Sequence, residues 1–438
     1  MTDLTETRHG AVDGPAERAI PGVVPIYSER QGAMPQPAVG IAEPRRIGRD
    51  ATADIPIDDS QISRLHVELV PAAHGVAVRD LESRNGTFVN GVRVPSKGIL
   101  VQQGATIRCG RTLLRVVGDV TPFRALGFVA TGPLVGGPWL VRMLDQVRSI
   151  GPLPHAVLLE GETGTGKEPT ARALHEASGR RGPFVALNCG ALPAELVESE
   201  LFGHARGAFS GSDQSRVGLF RSADHGTLLL DEIGELSANA QAKLLRVMEQ
   251  REVRPVGEDR SIPIDVRVVG ATNRDLDSMV ATGHFRADLF HRVAAWRIQL
   301  QPLRERAEDV PLLVVRFAAP SAVGVSVEAM ERLVLWRWPG NVRELRNTVE
   351  TAAAAALTAG KNAIEPEHIA PVSATSPARS TVPAERTADE IALRAQLETA
   401  LALRKGNVSR IAKDLGYGRT WLYQLLERFG LDPASYRK

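Results

Sequence analysis

A chain of three folded parts is predicted: an all-β sandwich, an α/β unit on a parallel sheet with a helical extension, and a small all-helical module. Between about Val23 and Val117, short runs (ADIPID, HVELV, GVAVRDL, GTFVNGVRV, ATIRC, TLLRVV) alternate apolar and polar residues and are broken by Gly, Asn and Asp. That period of two is the mark of half-buried strands in a sandwich. Further on, the apolar segments AVLLEG, FVALNC, GTLLLDE and VRVVGATN alternate with stretches of helical spacing, which argues for a parallel sheet with crossover helices. After Leu303 the pattern is mostly helical, and a Pro/Ser/Thr/Ala stretch, VSATSPARSTVPAERT (372–387), separates it from a last helical segment.

The boundaries that follow are a disordered start (1–21), the sandwich (22–118), a linker (119–132), the α/β core (133–303), its helical extension (304–371), a second linker (372–388) and the closing module (389–438). The chain has 438 residues, enough for about three domains. Its two cysteines, Cys109 and Cys189, lie far apart without metal-ligand spacing, so neither a disulfide framework nor a zinc site is expected. No apolar run approaches the ~20 residues needed to span a bilayer, and the polar start lacks the apolar core of a signal peptide. A cytoplasmic protein with no membrane partner is expected. The net charge is +2, but residues 401–438 carry eight Lys/Arg against three acids. Any nucleic-acid contact is expected in that tail.

The chemistry of the α/β unit begins at GETGTGKE (161–168), which follows an apolar strand and opens a helix. In that context Gly161, Gly164 and Gly166, interleaved with Glu162, Thr163 and Thr165, let backbone N–H groups curl around phosphates, and Lys167 neutralises their oxygens. Glu168 stands where Ser or Thr usually helps hold magnesium. Pro169 falls in the first helical turn, where a missing N–H costs little. Asp231 and Glu232 end an apolar strand and project at the carboxyl edge of the sheet. Asp231 would hold Mg2+ and Glu232 would polarise the water that attacks ATP. A solvated strand-end pair is the blander reading, and the presence of Lys167 weighs against it.

These segments, with FVALNCGALPAELVESELFGHARGAFSGS, LLRVMEQREVRPVG, GHFRADLFHR and WPGNVRELRN, resemble the AAA+ ATPase domain of bacterial sigma-54-dependent activators, the enhancer-binding proteins, over about residues 133–371. The resemblance implies a P-loop ATPase with a helical lid, assembled as a hexamer. It implies that Asn188 couples nucleotide state to Glu232, that Asn273 is a sensor on the neighbouring strand and that Arg343 is a second sensor in the lid. Arg286 and Arg292 would be arginine fingers acting on the neighbouring subunit. The loop Gly207, Ala208, Phe209, Ser210, Gly211, Ser212 would touch the sigma-54 RNA polymerase holoenzyme, with Phe209 as the apolar contact. Ser210 and Ser212 depart from the family's Thr and Ala, and the stretch 311–333 is shorter than the usual lid helix.

RRIGRD (45–50), ISRLH (62–66), DLESRNGT (80–87) and FVNG (88–91) resemble the forkhead-associated (FHA) domain, a sandwich that recognises phosphothreonine. A dianionic phosphate suits the guanidinium of Arg49 and the hydroxyl of Ser63, with Arg64 at the rim and Asn85 on the peptide backbone. Arg84 occupies a position where Thr or Ser is often found. The blander alternative is a sandwich that only packs against the motor.

Residues 393–431 fit three helices, with Asn407 as a cap. Leu422, Leu425, Leu426 and Phe429 recur at helical spacing, leaving Arg419, Thr420, Tyr423 and Gln424 to face DNA. The segment resembles the Fis-type helix-turn-helix that ends enhancer-binding proteins, a module that also dimerises. The expectation is therefore an ATP-driven activator that binds enhancer DNA and receives serine/threonine-kinase signals through phosphothreonine. Two rivals stay open: a remodelling ATPase directed to a phosphorylated client outside transcription, and a DNA-bound phosphopeptide scaffold with weak ATPase.

Overall fold

The computed structural model describes residues 19–33, 37–72, 75–205 and 216–369, together with scattered positions between 397 and 436. The amino-terminal part is a two-sheet sandwich. One sheet has six strands in the order Val39–Gly40, Gly22–Ser28, Thr112–Val117, Thr106–Cys109, Thr87–Val89 and Val92–Arg93. The other has five: Ile55–Pro56, Arg45–Gly48, Val67–Ala72, Gly75–Asp80 and Ile99–Val101. The Asn90–Gly91 pair between Thr87–Val89 and Val92–Arg93 has positive φ at both residues (49° and 78°), as a two-residue hairpin turn of matching twist requires. Ile47, Val67, Leu69, Val76, Val78, Ile107 and Leu114 fill the space between the sheets.

The strand Gly22–Ser28 departs from alternation because both of its faces are covered. Val23 points into the sandwich, whereas Val24, Ile26 and Tyr27 join Leu113, Val117 and Val120 in a second core with Leu313, Val314, Met330, Leu333 and Trp338 of the helical extension. The sandwich and the extension therefore share one hydrophobic core. Polar contacts border it: Val327 N–H donates to Glu29 Oε1 at 2.8 Å, and Tyr27 O–H donates to the Val325 carbonyl.

Residues 119–132, expected as a linker, are structured. A helix spans Thr121–Leu126, and Val129–Thr131 pairs antiparallel with Leu134–Gly136. Val120 is buried and Phe123 and Phe128 pack beside it. Pro122, Gly127 and Gly132 hid these elements by breaking them into pieces too short for a period to show.

The central sheet is fully parallel, in the order Phe184–Asn188, Thr227–Asp231, Arg267–Thr272, Val157–Glu160, Trp296–Gln299. The first four are the strands expected from the sequence, and the edge strand Trp296–Gln299 completes them. Helices cover both faces over two cores, one around Leu228, Leu230, Phe202 and Phe220 and one around Leu159, Leu229, Leu144 and Leu174. Parallel strands with helices on both sides put every strand's carboxyl end on one edge, where ligands bind in such sheets.

The helical extension consists of Val310–Ala318, Val327–Leu335 and Asn341–Thr358, tied by the short parallel pair Gly324–Val325 and Ala363–Ile364. Its first helix is only nine residues long and ends before Ala322, whose φ is 51°. In the closing segment Leu397, Leu401, Val408, Ile411 and Leu426 are buried. The Asn407 side chain accepts from Arg410 N–H at 3.2 Å, the contact of a helix N-cap. Arg419, Thr420, Tyr423 and Gln424 lie outside the described residues, as do residues 207–212, residues 1–18 of the start and the second linker.

Candidate functional site

The strand Val157–Glu160 is wholly buried and delivers the chain to Gly161 at the sheet's carboxyl edge. Gly161, Gly164 and Gly166 all have positive φ (154°, 80° and 111°). Added Cβ atoms would fall 2.8 Å from the Leu300 carbonyl oxygen at Gly161 and 2.3 Å from that of Gly340 at Gly164, whereas at Gly166 nothing stands within 4 Å. The loop is thus hemmed in at Gly161 and Gly164 and open at Gly166. The helix Lys167–Ala177 starts there, adding its positive end. Lys167 is 7% exposed. Its Nζ donates to the Gly161 carbonyl at 2.9 Å and lies 3.9 Å from Glu232 Oε1. Burial pulls its pKa below the ordinary lysine range, against the opposing pull of Glu232 and Asp231.

The strand Thr227–Asp231 lies beside Phe184–Asn188, with Asn188 in register with Asp231. Asp231 Oδ1 accepts from Glu232 N–H at 3.1 Å. Glu232 turns into the left-handed region, φ 54° and ψ 48°, a conformation uncommon for a residue with a Cβ. This turn aims its carboxylate at Lys167 and at Asn273, whose N–H donates to Glu232 Oε2 at 3.3 Å and whose amide donates to Thr163 Oγ1 at 3.1 Å. Asn188 sits differently from the expectation. Its amide faces Asp231 Oδ2 at 3.5 Å while its oxygen accepts from Gly190 N–H, so its described contact is with Asp231 and not with Glu232.

A set of contacts that sequence reasoning missed closes the helical extension over this loop. Asn341, wholly buried with φ 53°, accepts from Leu303 N–H at 2.8 Å and donates to Glu162 Oε2 and the Thr163 carbonyl, each at 3.1 Å. Arg304 forks onto the Glu162 carboxylate at 2.7 and 2.8 Å, and the hydrogen bond from Arg304 holds that carboxyl below the usual range. Arg306 Nη2 donates to the Thr165 carbonyl at 3.1 Å. Asn341 lies in the WPGNVREL segment, but its partners were invisible until the chain folded back. Arg343, exposed on the same helix, has its Cβ over Gly164, and its charge further weakens the hold of Lys167 on its proton.

Arg286 and Arg292 are both exposed. Arg286 forks onto Asp288 of its own helix at 2.7 and 3.0 Å, and Arg292 donates to the Met248 carbonyl at 3.2 Å. Glu168 pairs with Arg172 at 2.8 Å on the helix surface.

In the sandwich, Arg49, Ser63, Arg64, Arg84 and Asn85 line one open groove. Ser63 is held from both sides: Arg49 N–H donates to its carbonyl at 2.9 Å and Arg84 N–H to its Oγ at 3.1 Å. Beneath it His66 accepts from Ser63 N–H through Nδ1 at 3.0 Å, and its Nε2 meets the Gly86 carbonyl at 3.2 Å. Asn85 donates to the Gln61 carbonyl at 2.7 Å. A Cβ at Gly48 would lie 2.0 Å from the Arg64 carbonyl oxygen, so glycine is what lets the two loops close beside Arg49.

Residues 136–299 match the Sigma-54 interaction domain, residues 45–110 the FHA domain and residues 304–386 the AAA+ ATPase lid domain. The transcriptional regulatory protein GlrR of Escherichia coli K12 is 43% identical over 316 residues, covering 69% of this chain and 68% of the relative. This chain belongs to the sigma-54-dependent transcriptional regulators. AtoC of E. coli K12 is 40% identical over 317 residues, covering 69% and 68%. NorR of Citrobacter koseri is 44% identical over 313 residues, covering 67% and 62%. Among solved structures, NtrX from Brucella abortus in complex with ADP superposes with a TM-score of 0.51 at 31% identity, covering 68% of this chain and 69% of that one.

As a member of this family with an AAA+ lid, the protein is a nucleotide-binding ATPase. The loop fits that ligand. Nothing stands within 4 Å of an added Cβ at Gly166, and Lys167 makes only contacts to the Gly161 and Glu162 carbonyls and a long ion pair that phosphate oxygens could replace. Among the described residues no cluster of three or more His, Cys, Asp or Glu is placed to hold a metal ion. Asp231 at the end of its strand would suit Mg2+, which commonly takes one or two carboxylates together with nucleotide oxygens and water. No described helix is long and apolar enough to cross a membrane.

Proposed function

We propose that this sigma-54 regulator couples ATP hydrolysis to promoter opening by sigma-54 RNA polymerase, from enhancer DNA, under the control of a phosphothreonine signal read by its FHA domain. Lys167 and the N–H groups of residues 161–167 bind the β/γ-phosphates. Glu232, held by Asn273, orients and polarises the attacking water. Asn188 steadies Asp231, and Arg343 answers the phosphates from the lid. Bound Mg2+, held by Asp231, would neutralise charge on the transferred phosphoryl group. Arg286 and Arg292, exposed and engaged only in replaceable contacts, serve as fingers for a neighbouring subunit, which implies a homo-oligomer, a hexamer by family resemblance. Residues Gly207 to Ser212 carry the stroke to sigma-54. The closing module, through Arg419, Thr420, Tyr423 and Gln424, docks the protein on DNA as dimers, in the cytoplasm.

Regulation through the FHA domain rests on one observation: the sandwich shares its core with the lid, and the lid grips Glu162, Thr163 and Thr165 of the phosphate loop. A ligand that shifts the sandwich must therefore move a lid already fastened to the nucleotide site. Arg49 and Ser63 would hold the phosphate, with Arg64 and Asn85 at the rim. A phosphothreonine peptide added to the full chain should change both its ATPase rate and promoter opening, and Arg49→Ala should remove that response. A rate indifferent to peptides that demonstrably bind would refute the coupling.

A further inference from the structure

The groove holds more positive charge than one phosphothreonine needs. Arg49, Arg64 and Arg84 all line it and all are exposed, and none forms a salt bridge among the described residues. Asp50, the carboxylate that shares the groove, accepts from Thr52 N–H at 2.9 Å and acts on the Arg49 and Arg64 side, since those are the guanidinium groups its own ionisation feels.

Arg49 and Arg84 both meet Ser63 through their backbone N–H groups, one donating to the Ser63 carbonyl and the other to its hydroxyl. By accepting from Arg84 N–H, the Ser63 oxygen leaves its own proton free to donate to a phosphate lying toward Arg49 and Arg64. The Arg84 side chain lines the same groove. An extended peptide advances about 3.3–3.6 Å per residue, so a guanidinium there meets the side chain of a neighbouring residue. Guanidinium recognises phosphate and carboxylate through paired N–H donors.

We propose that Arg84 is a specificity-determining residue that selects phosphothreonine peptides carrying a second anionic side chain, a phosphate or a carboxylate, beside the phosphothreonine. The proposal rests on the phosphothreonine reading above and adds a preference to it. A single Thr or Ser at this position would offer only a hydroxyl, with no charge to choose by.

The test uses the full chain and synthetic peptides: an alanine-flanked phosphothreonine peptide, a series in which one flanking alanine at a time becomes glutamate, and the same series with phosphoserine. Fluorescence anisotropy at fixed salt should find at least one doubly anionic peptide bound about tenfold tighter than the alanine-flanked one. In Arg84→Gln that advantage should shrink to about twofold or less, and Arg84→Lys should restore part of it. Equal binding of all peptides by the wild-type chain, or an unchanged preference in Arg84→Gln, overturns the assignment of Arg84 alone. If no phosphothreonine peptide binds the wild-type chain at all, the phosphothreonine reading fails and this one falls with it.

Discussion

Arg108 of the sandwich and Glu331 of the lid form a 2.8 Å ion pair with 14% and 6% of their side chains exposed. Arg108 also reaches Glu328 at 3.0 Å and lies 4.1 Å above the Phe88 ring, while Glu331 accepts from Gly91 N–H at 2.9 Å. Burial pushes the Glu331 carboxyl above its usual range despite the pull of Arg108, so the pair is costly to split. Arg108→Ala leaves a buried carboxylate without its partner and should cost about 3 kcal/mol in denaturant unfolding. Arg108→Met combined with Glu331→Gln should recover most of that loss.

A second junction residue gives the interface a pH dependence. Glu308, lining the same junction as Arg115, Arg304 and Glu305, is raised from 4.5 to about 7, chiefly by burial and then by the neighbouring Asp309, against the weaker pull of Arg115 and Arg306. A carboxyl that holds its proton more tightly folded than unfolded adds stability below about pH 4.5. That contribution is lost as pH rises through 7. The slope should not exceed about 1.4 kcal/mol per pH unit for this one proton, and Glu308→Gln should flatten it between pH 5 and 8 in thermal melts.

Gly164 tests the lid's grip on the phosphate loop. With φ at 80° and the Gly340 carbonyl 2.3 Å from any added Cβ, Gly164→Ala must both strain the backbone and push the lid away. Nucleotide affinity should fall at least about tenfold while the sandwich stays folded, checked by isothermal titration with ADP beside circular dichroism. Asn341→Ala, which removes the bonds to Glu162 and Thr163 without steric clash, should produce a smaller loss of the same kind.

The finger assignment is testable by mixing. Arg286→Ala should bind ATP normally yet lose turnover by about 10³-fold or more. If the arginine serves a neighbour, Arg286→Ala mixed with Glu232→Gln should regain part of the wild-type rate, because some interfaces then combine an intact Glu232 with an intact Arg286. Mixing that restores nothing would make Arg286 an in-cis surface residue paired with Asp288.

Much of this architecture was legible in the sequence, and the exceptions share physical causes. Val157–Glu160 and Thr227–Asp231 announce themselves because parallel strands buried on both faces read as unbroken apolar runs. Gly22–Ser28 is just as buried, but its second face is covered by the lid, a partner about 300 residues away that no local pattern reports. Trp296–Gln299 has one buried residue, Ile298, too few for a period. The phosphate loop and its acids were readable because their chemistry is local to short segments. Asn341, Arg304 and Arg306 were not, since each acts on backbone or carboxylate groups roughly 140–180 positions earlier in the chain.

Hydrolysis at Glu232 is proposed to drive transcription by sigma-54 RNA polymerase. Its most direct test is permanganate footprinting of a sigma-54 promoter with purified polymerase and this protein, wild-type against Glu232→Gln, in saturating ATP. Open complexes should form with the wild-type chain and not with Glu232→Gln, although that variant still binds nucleotide. Equal opening with both chains, or none with a wild-type chain that hydrolyses ATP, would contradict it.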